Sequence, residues 1–187
     1  MAGGACLLRA VACGDGSASE DAPSPLRRAW RNLRGRPQAV DDLRQQIFVV
    51  KVKADGTADG EPRNVTPGEN DAVPTSSTFS AGDEFAWSPD GTEIVFSAPP
   101  LPIREQAWRT NHDVWSVNLA TGERKNLTAA NAAADGLPRF SPDGKALAYR
   151  AQARAGFEAD KWDLWLLDRA SGQRRNVTAA WAGSVDN

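Results

Sequence analysis

From about residue 45 to the C-terminus, apolar and polar positions alternate in short runs, cut at close intervals by turns rich in Gly, Asp, Asn and Pro. Residues 47–52, 93–97, 113–119, 146–150 and 163–168 combine strand length with β-branched and aromatic content, which predicts β-strands rather than helices. Between residues 85–87 and 93–97 stands Ser88-Pro89-Asp90-Gly91. Its Pro presets φ at the second turn position, and its Gly accepts the left-handed conformation that ends a tight hairpin. A longer loop follows, then the strand over 113–119, a Thr121-Gly122 turn, and a last short strand closing on Asn126-Leu127-Thr128.

This order occurs again. Ser141-Pro142-Asp143-Gly144 repeats the first turn at an offset of 53, and Asp163-Leu164-Trp165 repeats Asp113-Val114-Trp115 at 50. Ser171-Gly172 and Asn176-Val177-Thr178 repeat their counterparts at 50 as well. A partial earlier copy runs from the strand over 47–52 through Asp55-Gly56 to Asn64-Val65-Thr66. Four short antiparallel strands per repeat of this length is the unit of a β-propeller blade. The expected fold is therefore all-β, a partial propeller with a half blade over 45–66 and full blades over 85–128 and 138–178, together forming a region from 41 to 187. Trp115 and Trp165 recur at one blade position, as do Trp87 and Phe140, which fits packing between blades better than ligand binding.

Charge and composition narrow the chemistry. The 22 basic and 24 acidic groups nearly balance, which argues against a nucleic-acid partner. No apolar window is long enough for a membrane span. With one histidine, His112, and two cysteines, Cys6 and Cys13, neither a structural zinc site nor another metal or cofactor site is expected. A Ser-His-Asp triad would have to use His112, which stands where the next repeat has Trp162.

The aromatic strand, Ser-Pro-Asp-Gly, Asp-hydrophobic-Trp and closing Asn-Leu-Thr resemble the propeller repeats shared by TolB and the prolyl oligopeptidase family. Residues 68–100 and 148–165, with Tyr149-Arg150-Ala151-Gln152 and Gly156-Phe157-Glu158-Ala159-Asp160, are most similar to bacterial dipeptidyl aminopeptidases and acylaminoacyl peptidases. The resemblance implies a non-catalytic propeller portion of a serine peptidase. It would gate peptide substrates toward an α/β-hydrolase domain of the same parent chain. No Gly-x-Ser-x-Gly elbow occurs in the sequence, so no catalytic residue is assigned and the chain itself is not expected to hydrolyse peptides. The alternative is a TolB-like binding propeller for protein interaction at the cell envelope. A periplasmic and a cytoplasmic bacterial location both remain open.

Strand parity puts the long loops, 66–84, 97–112 and 151–161, on one rim, which bears Asp71, Asp83, Glu84, Arg104, Glu105, Arg109, Arg154, Glu158 and Asp160. In dipeptidyl-peptidase relatives the propeller lends acidic residues to the free α-ammonium of the peptide. By that resemblance Glu105, with Arg104 and Arg109, is the candidate substrate-binding group, although Gln106 stands where a second carboxylate would be expected. The three Asn-x-Thr tripeptides match the glycosylation acceptor pattern but recur because each closes a blade. Residues 1–40, rich in Ala, Arg and Gly, are expected to be irregular. They read either as a misread start or as a targeting segment, since Ala10-Val11-Ala12-Cys13 loosely resembles a lipoprotein cleavage box. A disulfide between Cys6 and Cys13 is left open by composition alone.

Overall fold

A computed structural model describes residues 5–13, 43–72, 84–106 and 108–185. The chain divides into two compact units, Met1–Glu69 and Asn70–Asn187. In the first, β1 (Ala5–Cys13), β2 (Leu43–Val52) and β3 (Ala58–Asn64) form an antiparallel sheet in the order β1-β2-β3. The strand β1 lies within the tract expected to be irregular and runs in register from Ala5 opposite Lys51 to Cys13 opposite Leu43. A run that is apolar except for Arg9 thus satisfies the edge of β2 that β3 leaves open. Seven residues of extended chain hold the Cα atoms of Cys6 and Cys13 about 23 Å apart, well beyond disulfide reach. The choice between a misread start and a targeting segment falls mainly on residues 14–42, which lie outside the described residues.

The second unit holds two four-stranded antiparallel sheets in sequential order, the architecture of successive propeller blades. Blade A consists of β4 (Phe85–Trp87), β5 (Glu93–Ala98), β6 (Asp113–Asn118) and β7 (Arg124–Asn126). Blade B consists of β8 (Asp135–Phe140), β9 (Ala146–Ala151), β10 (Asp163–Asp168) and β11 (Arg174–Asn176). Trp115 pairs with Phe96 and Asn126 in blade A, and Trp165 pairs with Tyr149 and Asn176 in blade B, so the repeat in sequence is a repeat in register. One helical turn, α1 (Ile103–Gln106), interrupts the long loop of blade A. Blade B starts at Asp135, three residues before the expected boundary. The ladder slips between Gly136 and Arg139, with Leu137 at φ 51°, and Pro138, which has no N–H to donate, sits in that bulge.

The blades stack through their faces. Val95 and Val114 of blade A form one buried cluster with Leu147, Tyr149, Ala151 and Leu167 of blade B, and Phe140 and Trp165 pack against it. In blade B the aromatic positions common to both repeats, Phe140 and Trp165, are half-buried against this cluster.

Each blade closes with the same side-chain clasp. The Thr128 hydroxyl accepts the Val114 N–H at 2.9 Å, and Asn126 Oδ1 accepts the Thr128 N–H at 3.0 Å. Asn126 Nδ2 donates to Asp113 at 2.5 Å. In blade B, Thr178 accepts from Leu164 at 2.9 Å, Asn176 accepts from Thr178 at 2.9 Å, and Asn176 donates to Asp163 at 3.1 Å. The first unit repeats it with Thr66, Ile47 and Asn64, and Asn64 donates to Gln46, which occupies the aspartate position. The Nδ2 end of each blade's asparagine amide ties the fourth strand to the third, while its Oδ1 end accepts the N–H two residues on in its own segment.

Candidate functional site

Sequential antiparallel order fixes which connections share an edge of the sheets. The Ser-Pro-Asp-Gly and Thr/Ser-Gly turns lie at one edge; the loops 99–112 and 152–162 and the link 127–134 lie at the other. On that loop-bearing rim, α1 carries the candidate substrate-binding residues. Glu105 and Arg109 are exposed, the backbone of Arg104 lies in α1, and the Arg104 side chain lies outside the described residues. Gln106 turns inward: its Nε2 donates to the Leu101 carbonyl at 3.2 Å and reaches Asp71 Oδ2 at 3.5 Å. Trp108, next along the chain, is 83% exposed. In the corresponding loop of blade B, Arg154 pairs with Asp160 at 2.9 Å and stacks on the Phe157 ring at 4.0 Å. Asp160 Oδ2 also accepts the backbone N–H groups of Ala153 and Arg154, which with the guanidinium holds this carboxyl below its usual range.

Two residues expected at this rim are buried instead. Asp71 is 4% exposed and Glu84 is 2% exposed; Asp83 lies outside the described residues. Glu84 belongs instead to the seam between the blades. Its Oε2 accepts the Leu137 N–H at 3.0 Å, and its Oε1 lies 4.0 Å from the Arg150 guanidinium, itself only 6% exposed in side chain. Arg150 also stacks on the Trp162 ring at 4.3 Å. A Cβ at Gly136 would stand 3.3 Å from Glu84 Oε2, so a side chain there would press on this carboxylate.

Further along the seam the Ser97 hydroxyl donates to the Asp135 carbonyl at 2.9 Å, and the Asp135 N–H donates to the His112 carbonyl at 2.7 Å. Asp135, Tyr149, Asp163, Trp165 and Arg174 line a recess of about 330 Å³ under the link between the blades. His112, directly before β6, is buried, so it is not an exposed base. Among the described residues no group of three or more His, Cys, Asp or Glu could hold a metal ion, and no helix is long and apolar enough to cross a membrane.

Sequence reasoning missed Glu84, Asp135 and Arg150 as a seam cluster. The available signal was Arg150, a charge placed between Tyr149 and Ala151 in an otherwise apolar strand, where an arginine is buried only if it is paired.

No family profile matches the chain. It is 34% identical over 82 residues, 44% of the chain, to dipeptidyl-peptidase 5 of Porphyromonas gingivalis. It is 35% identical over 77 residues, 41% of the chain, to dipeptidyl-peptidase 5 of Porphyromonas endodontalis. These matches span 12% and 11% of the relatives' own lengths. A solved chain described as TolB from Agrobacterium tumefaciens superposes with a TM-score of 0.49 and 20% identity, covering 75% of this chain and 40% of that one.

Proposed function

We propose that this chain is a propeller segment of a dipeptidyl-peptidase-type serine peptidase of the prolyl oligopeptidase family. In the parent protein its blades screen peptides on their way to an α/β-hydrolase domain. The observation that carries this reading is the similarity to two relatives that share one printed name, dipeptidyl-peptidase 5, at 34% and 35% identity. The stacked four-stranded blades and the concentration of long loops at one rim support it.

Within that reading, Glu105 receives the substrate ammonium and Arg104 and Arg109 flank the peptide. Glu105 is exposed at the loop-bearing rim, whereas Gln106 is turned toward Asp71 and Leu101. A carboxylate paired with an ammonium in a partly desolvated cavity contributes roughly ten- to a hundred-fold in preference for a free N-terminus. Two measurements test the proposal at its two levels. Reading the coding sequence beyond Asn187 should disclose a Gly-x-Ser-x-Gly followed by Asp and His; a stop after further blades alone would overturn the peptidase assignment. In the full-length parent, Glu105→Gln should lower kcat/KM for free dipeptidyl substrates and spare N-blocked ones. Equal kinetics for wild type and variant on both would remove Glu105 from the site.

A further inference from the structure

The recess under the link between the blades is walled by residues at a period of two. Tyr149 and Ala151 on β9, Asp163 and Trp165 on β10, and Arg174 and Asn176 on β11 each skip one position, so they share one face of blade B. Trp165 stands opposite Tyr149 in the ladder, which gives this wall two neighbouring rings. Asn131 of the link and Asp135 at the start of β8 complete the lining of a space of about 330 Å³. Most polar side chains here are already committed. Asp163 Oδ1 accepts from Lys161 at 2.8 Å and from Thr178 at 3.1 Å, and its Oδ2 accepts from Asn176 at 3.1 Å. Asn131 donates to Asp135 Oδ1 at 2.9 Å and to the Gln152 carbonyl at 3.1 Å, and it accepts the Ala133 N–H at 3.2 Å. Asp135 differs from these: it is 1% exposed, and its Oδ2 is buried with no hydrogen-bond partner. The recess thus sets one acidic acceptor, short of a donor, beside an aromatic wall.

We propose that this recess is a binding site for a small organic cation, a primary ammonium on a compact apolar body, whose N–H groups donate to Asp135 and whose apolar part rests on Tyr149 and Trp165. The site is independent of the peptidase reading and of the rim loops. Other occupants fit the lining less well. A metal ion would leave both rings unused, and among the described residues no group of three or more His, Cys, Asp or Glu gathers to hold one. An anion would meet the Asp135 carboxylate. Arg174 also lines the recess, but its side chain is exposed, so water and salt screen its charge, whereas Asp135 is buried. Burial pushes the Asp135 carboxyl up to about 7, against Asn131, Thr128 and Arg174, and the nearby Asp113 adds to the shift. A contacting ammonium opposes that shift, because it favours the ionised carboxyl.

The test is a titration of the whole chain with isoamylamine at pH 8, followed by carboxyl and indole NMR, with isoamyl alcohol and methylamine as controls. Isoamylamine should shift the Asp135 carboxyl and the Trp165 indole N–H along one saturable isotherm. The alcohol, which lacks the charge, and methylamine, which lacks the apolar body, should each bind about tenfold or more weakly. Asp135→Asn should cost the amine a similar factor and leave the alcohol unchanged. In the wild type, saturating amine should move the Asp135 titration below about 7. The affinity should fall as the pH drops from 8 to 5, where the ammonium must displace a proton. Should the variant fail to fold, this movement of the wild-type titration decides the matter alone. Equal binding of amine and alcohol, amine binding untouched by Asp135→Asn, an unmoved Asp135 titration, or shifts that do not saturate or that fall outside the recess would each overturn the site.

Discussion

Lys161 and Asn111 occupy one position of the two repeats, and the aspartate two residues later is shifted in opposite directions in the two blades. In blade B, burial raises Asp163, but Lys161 at 2.8 Å, Asn176 and Thr178 outweigh it and the carboxyl ends below its usual range. In blade A, Asn111 supplies no charge, and burial leaves Asp113 above its usual range with Oδ1 unpartnered. Asn111→Lys should therefore bring the Asp113 carboxyl down and stabilise the chain at pH 7 by about 1 kcal/mol. Carboxyl NMR titration together with denaturant unfolding checks both parts, and an unmoved Asp113 would mean that the lysine had turned to solvent. The asparagines of the Asn-x-Thr tripeptides belong to this scale too. Their spacing was legible as a blade closure, but the bond from the amide Nδ2 to the neighbouring strand was not, because its partners lie 13 residues back in Asp113 and Asp163.

Among the elements, the Ser-Pro-Asp-Gly turns were the most completely legible, because every interaction they need is local. Asp90 Oδ1 accepts the Ser88 hydroxyl at 2.6 Å and the Thr92 N–H at 3.1 Å, which holds its pKa down to about 2. Asp143 repeats this with Ser141 at 2.6 Å and Lys145 at 3.1 Å. Gly91 and Gly144 stand at φ of 71° and 70°, where a side chain is strained. Open space surrounds Gly91, whereas a Cβ at Gly144 would meet Pro89 of the neighbouring blade at 3.4 Å. Gly91→Ala should cost about 1 kcal/mol from backbone strain alone, and Gly144→Ala at least as much, as a fall in denaturant midpoint. A midpoint that rose in either variant would contradict the left-handed turn. The strand β1, the turn α1 and the bulge at Leu137 were not legible. The first and the last are decided by distant segments, the edge of β2 that β3 does not cover for β1 and the Glu84 carboxylate, which accepts the Leu137 N–H, for the bulge.

At the scale of the whole second unit, the stacking of blade on blade makes the two repeats depend on each other. Leu147 of β9 is fully buried in the cluster with Val95 and Val114 of blade A, and Tyr149 and Leu167 flank it. Beside this apolar contact the seam holds Glu84 with Arg150, Ser97 with the Asp135 carbonyl and, toward the short-turn edge, Glu93 of blade A with Arg169 of blade B. The loop residues Arg104, Glu105 and Arg109 were assigned to the long-loop rim by strand parity and singled out by resemblance. The buried seam could not be read in this way, since its members come together from segments between 38 and 76 residues apart that no local pattern connects. If the seam joins the blades into one cooperative body, Leu147→Ala should cost about 2–5 kcal/mol, the range for emptying a well-packed leucine site. The loss should appear equally in probes of both blades, because the same side chain fills the face of each. Hydrogen exchange at β5 and β6 of blade A and at β9 and β10 of blade B reads this directly. Parallel loss of protection in all four strands is the expected result; loss confined to β9 and β10 would mean that blade A stands without its neighbour.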